Sequence, residues 1–145
     1  MIRVLPNKVE GFLSVFFDPL LVCLGSSNTS IREAALEACN AVNDSCSKEV
    51  LMPLYVENIG KTSQKGRALI IGLVIGLVPG IKDFKVLENF ALPIAYKLID
   101  DIRLDVRNEA SKLLGGLYKI LGNQILESAP TSKLHKIINI ISKEL

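Results

Sequence analysis

Groups that could do chemistry are few in this 145-residue chain. Its single histidine, His135, lies beside an apolar stripe, and no serine or cysteine stands in a nucleophile-to-base relation to it. Cys23, Cys39 and Cys46 are odd in number and hold no C-x-x-C pair. That pattern fits buried thiols in a reducing compartment better than a disulfide framework. Asp100-Asp101 could face a cation, but no further ligands follow at calcium-loop spacing, and a solvated acidic turn is expected. Gly115-Gly116 and Gly122 lie within or after a helical segment and not behind a strand, so the context of a phosphate-cradling loop is missing. The expectation is a protein with no catalytic residues, no metal and no cofactor.

The bulk properties point the same way. Apolar residues make up 49% and charged residues 22%, a balance that supports a packed core. Seventeen basic residues against 15 acidic ones leave a net charge of +2, which does not imply strong nucleic-acid binding. Two apolar runs could suggest a membrane. Phe12 to Leu24 is broken by Asp18-Pro19 and lacks the pattern of a signal peptide. Ala68 to Pro79 carries no charge but falls short of the roughly 20 residues that cross a bilayer, so a buried helix is expected. Within it, Gly72-x-x-x-Gly76 is read as a close-packing surface between neighbouring helices.

With chemistry absent, the elements themselves carry the information. Three segments align in the same order: DPLLVCLGSSNTSIREAALEACNAV, LMPLYVENIGKTSQKGRALIIGLVIGLV and ALPIAYKLIDDIRLDVRNEASKLLGGLYKILG. Each has a proline (Pro19, Pro53, Pro93), a short apolar helix, a polar loop, an arginine (Arg32, Arg67, Arg107) and a longer apolar helix. The proline-to-arginine offsets are 13, 14 and 14 residues, and the prolines are 34 and 40 apart. Those are the repeat lengths of helical-hairpin solenoids. The predicted fold is therefore all-α, a HEAT-repeat right-handed solenoid of antiparallel hairpins. One domain is expected over 1–145, with repeats at about 18–46, 47–80 and 82–122 and a terminal helix at 132–145, as the C-terminal part of a longer array.

Local signals refine this scheme. Asp18 is expected to cap the helix that Pro19 begins, and Ser30-Ile31-Arg32-Glu33 has the form of a capping box. Ile31, Ala34, Ala35, Ala38 and Val42 would form one buried face. In the third repeat Val106, Ala110, Leu113, Leu114, Leu117, Ile120 and Leu121 do the same, and the all-apolar Leu69 to Val78 belongs at the centre. Lys82 to Asp101 reads as one helix bent near Pro93. The last helix, capped by Ser132, presents Leu134, Ile137, Ile138, Ile141 and Leu145 to the end of the stack. Val4 to Phe17 reads as the remainder of an upstream repeat, whose uncovered apolar face could support self-association.

In such an array the loops joining the first to the second helix of each repeat share one edge. They span Ser26 to Ser30, Lys61 to Arg67 and Asp101 to Arg107. Lys61, Lys65 and Arg103 are candidate contacts for an acidic protein partner, while Arg32, Arg67 and Arg107 are read as structural residues that bond between repeats.

The segment KLIDDIRLDVRNEASKLLGGLYKILGNQIL, with the later SKLHKIINIISKEL, resembles the closing repeat of TOG domains, the tubulin-binding HEAT arrays of the ch-TOG and CLASP proteins. PLYVENIGKTSQKGRALIIGLV is similar to their preceding repeat. The resemblance implies a paddle of about six repeats that grips αβ-tubulin with its loops, in a cytoplasmic and cytoskeletal setting. By position it makes Lys61 and Arg103 the contacting basic residues, with Thr29, Thr62 and Lys65 beside them. The family often places a tryptophan in its first loop, and this chain has none. A second expectation of the same fold is a scaffold segment of a translation or ribosome-associated factor.

Overall fold

The computed structural model describes residue 15 and residues 17–144, and the described residues form an all-α protein. Residues 15 and 17–24 are helical (α1), followed by α2 (Thr29–Ser45), α3 (Lys48–Asn58), a 3-10 turn (Ile59–Lys61) and α4 (Gln64–Leu77). A second 3-10 turn at Val78–Gly80 ends α4, as Pro79-Gly80 dictates. The next rod consists of α5 (Phe84–Val86), a π turn (Leu87–Ala91) and α6 (Leu92–Leu98). Last come α7 (Leu104–Leu121), α8 (Gln124–Ser128), a 3-10 turn (Thr131–Lys133) and α9 (Leu134–Glu144). The upstream remainder proposed for residues 4–17 lies, apart from 15 and 17, outside the described residues.

α4 touches both α2 and α7, and α3 touches α5 and the π turn; α3 also packs on α4 and α6 on α7. α9 closes the far end against α7 and α8. α1 meets α3 through an edge-on contact of Phe17 and Tyr55, ring centroids 4.9 Å apart. The expected centre of the core is in place: Ile70, Ile71, Leu73, Val74 and Leu77 of α4 are buried. So are Val106, Ala110, Leu113, Leu114 and Leu117 of α7, with Ile120 and Leu121 half-buried. Just before Pro93 the helix opens into the π turn, in which the Leu92 N–H reaches back five residues to the Leu87 carbonyl.

Several local expectations are corrected. Helical residues precede Asp18, so it is not a cap. Asn28 caps α2, its Oδ1 accepting from the Ile31 N–H, which places Ser30 inside the first turn and leaves the S-x-x-E box unused. The buried stripe of α2 is Ala35, Cys39 and Val42, with Ile31 and Ala34 exposed. Ser132 sits within the 3-10 turn before α9, where Ile137 and Ile141 are buried and Ile138 is exposed. Gly72 and Gly76 are exposed and do not form a packing surface with a neighbouring helix. Of the three cysteines only Cys39 is buried, and burial pushes its thiol up to about 11; Cys23 and Cys46 are half-buried.

Candidate functional site

The loops before α2, α4 and α7 are built alike from their helix starts. The N-cap positions are Asn28, Ser63 and Arg103, and an arginine follows each by four residues. Arg32 Nη1 donates to the Ser26 carbonyl at 2.8 Å, and Arg107 Nη1 donates to the Asp101 carbonyl at 2.8 Å, each reaching back six residues. Both arginines therefore brace their own loop. Arg67 instead spans two loops, its Nη1 lying 3.2 Å from Asp101 Oδ2. Of the three, Arg67 alone bonds to a different loop among the described residues.

The loops also touch one another. Ser63 Oγ donates to the Gly25 carbonyl at 2.9 Å. Beneath this bond lies Thr62, only 5% exposed, its hydroxyl wedged between Gly25 and Gly66. A side chain at either glycine would collide with it, so the close approach of the first two loops requires both. Thr62 Oγ1 has no hydrogen-bond partner among the described residues. Thr62 thus belongs to the joint between loops and is not a surface contact.

The remaining candidates are exposed to different degrees of use. Thr29 is exposed, and its hydroxyl accepts from Arg32 Nη2 at 3.5 Å. Lys61 is exposed but paired with Asp18 at 3.2 Å. Arg103 makes a two-pronged contact with Asp105, at 2.9 and 3.0 Å, which lifts the guanidinium further and holds the carboxyl down. Lys65 is exposed with no ion pair among the described residues.

One rim residue escaped the sequence reading. Ile102 is 83% exposed at the tip of the third loop, next to an exposed Leu104. A run of alternating charge around it hid it, because spacing alone marks no apolar residue as exposed. Beside it opens a cavity of about 450 Å³, with Ile59, Ile94 and Leu98 as apolar lining and Arg67, Lys97 and Asp101 as polar lining.

Asp100-Asp101 is a solvated turn at Asp100 only. The Asp101 side chain is 6% exposed, its Oδ2 on Arg67 and its Oδ1 accepting from the Arg103 N–H at 3.0 Å. Asp100 pairs with Lys136 and, at 2.9 Å, with Lys133, fastening α9 to the third loop. These lysines hold the Asp100 carboxyl below its ordinary 3.8, Lys136 contributing most. A carboxylate depressed in the folded state stabilises it fully above the unfolded value and loses that contribution as pH falls through the folded one. The Asp100 contribution to thermal melts should thus be constant above about pH 5 and decline below about pH 4. Asp100→Asn should make that decline shallower, though modestly, since the pair is partly exposed. Equal acid slopes for both proteins would exclude the pairing.

Among the described residues no group of three or more His, Cys, Asp or Glu is placed to hold a metal, and no helix is long and apolar enough to cross a membrane. His135 is exposed on α9. No family model matches the chain, and no curated protein is significantly similar to it.

Proposed function

We propose that this chain is a non-catalytic protein-binding module, a stack of HEAT-type hairpins whose loop rim engages an acidic protein surface, with αβ-tubulin as the first candidate partner. The reading is supported by the repeated N-cap-to-arginine register and by the resemblance of its later repeats to TOG domains. The observation that carries it is the rim itself. Three loops, joined through Ser63 to Gly25 and Arg67 to Asp101, present exposed Lys61 and Lys65 on the second loop and exposed Ile102 on the third. An exposed aliphatic on one loop and exposed cations on the loop joined to it are suitable contacts for a partner of opposite charge.

The test is gel filtration or co-sedimentation with purified tubulin. Ile102→Asp with Lys65→Glu is expected to weaken binding by about a hundredfold, roughly 2.7 kcal/mol. Lys61→Glu with Arg103→Glu should do less per charge, because both cations already have intramolecular partners. If wild type ignores tubulin, or if both double variants bind as wild type does, this reading fails. Salt-sensitive pelleting with ribosomes would point instead to a scaffold of the translation apparatus.

A further inference from the structure

A second surface lies away from the loop tips, on the exposed face shared by α2, α4 and α7. A trough of about 510 Å³ runs there, lined by Leu36 and Asn40 of α2, Leu69 and Gly72 of α4, and Asn108 and Glu109 of α7. The nearest atom that a Cβ at Gly72 would meet is Glu109 Oε2, 4.0 Å away, and a Cβ at Gly76 would meet nothing within 4 Å. Internal packing therefore makes no use of these missing side chains. Glycine inside a helix is less favourable than alanine, so its presence where alanine would fit leaves a bare backbone that another chain can approach closely.

The charges beside the trough are unequal. On the α7 side Glu109 pairs with Lys112 at 3.1 Å and Asp105 with Arg103, so these carboxylates are neutralised within the molecule. On α2, Glu33, Glu37 and Asp44 recur with the lining residue Asn40 at spacings of 4, 3 and 4, one stripe along the helix. All three are exposed and none has an ion pair among the described residues. The edge carries an acidic row with no internal complement, beside a floor of Leu36, Leu69 and glycine backbone.

We propose that this trough seats an amphipathic helix of a partner protein, its apolar or small face on Gly72 and Leu69 and its basic side chains along the acidic edge of α2. A helix fits because the trough lies between helices and offers apolar contacts at helical spacing, while the carboxylate row selects the sign of its polar face.

The probe is a synthetic, fluorescently labelled helix of about 18 residues, built from leucine, alanine and lysine with the lysines on one face. Its control carries glutamate in place of lysine. By anisotropy the lysine peptide should bind at least about tenfold more tightly than the control, with affinity falling as salt rises. Gly72→Phe, which fills the floor, and Glu33→Lys with Glu37→Lys, which reverses the edge, should each weaken binding about tenfold or more. Gly72→Ala should retain it, and Ile102→Asp on the rim should not change it. Thermal melts of the variants verify folding, all four substituted positions being exposed. Equal binding of the two peptides, undiminished binding by Gly72→Phe, or light scattering showing a dimer that Gly72→Phe dissociates and the peptide does not, would overturn the proposal.

Discussion

Tyr55→Ala is expected to destabilise the fold by about 3–5 kcal/mol, in the range of large aromatic truncations in cores. Tyr55 is fully buried on α3, and its ring meets Phe17 of α1 edge to face. Its hydroxyl donates to Asn43 Oδ1 on α2 at 2.7 Å. One side chain thereby joins three helices. Burial raises its phenol, so the hydroxyl stays a donor across the accessible pH range. Truncation leaves a cavity where α1 docks and removes the donor to Asn43 together. For a chain of this size, the loss corresponds to a fall of about 10 °C or more in melting temperature. Tyr55→Phe keeps the ring contact and should cost only about 1 kcal/mol, since the half-buried Asn43 can turn to water. Urea denaturation of both variants measures the split. Near-equal losses would mean that the hydroxyl bond to α2, and not the aromatic contact with α1, carries the stabilisation.

The sequence reveals elements whose periodicity is strong and whose two sides differ in chemistry. α7 is the clearest case: Val106, Ala110, Leu113, Leu114 and Leu117 are buried as the spacing predicts, Ile120 and Leu121 are half-buried, and Leu104, Lys112 and Lys119 stay out. α4 is apolar on nearly every side, which marks it as central but does not tell which face is covered. Gly72 and Gly76 consequently look like packing residues until the neighbours are known. α2 misleads for a different reason. Alanine at 34, 35, 38 and 41 is too small to declare a side, so the inward stripe is decided by Cys39 and Val42 through their neighbours. Its start is set by Asn28, two residues ahead of the more conspicuous S-x-x-E pattern.

The rim was partly legible. The common arginine position follows from the aligned segments, but its partner does not: Arg32 and Arg107 brace loops six residues behind them, whereas Arg67 reaches an aspartate 34 residues away. Such long-range partners depend on how neighbouring hairpins are spaced and turned, which no local pattern records. Thr62 shows the same limit. Its polar type and loop position suggest a surface residue, yet the approach of Gly25 and Gly66 encloses it.

Asp101→Ala should cost about 2 kcal/mol and loosen the third loop, because it removes two acceptor roles from one nearly buried carboxylate. Oδ2 is the partner of Arg67, and Oδ1 receives the Arg103 N–H in a short turn that aims the chain into α7. Without it the Arg67 guanidinium, about 29% exposed, keeps its charge but loses its carboxylate. Its partial access to water holds the cost below the range for a fully buried broken pair. Asp101→Asn retains an oxygen for the Arg103 N–H and gives up the negative charge, so it should lie near half the alanine value. In combination with Arg67→Met, Asp101→Ala should cost less than the two single losses added together, the surplus being the coupling between the loops. The same variant should also reduce partner binding through the rim, since Ile102 adjoins Asp101 and depends on that turn for its position. Additive losses in the cycle would remove Asp101 as the link between the second and third loops. A destabilised Asp101→Ala that binds a rim partner as tightly as wild type would show that Ile102 needs no fixed support.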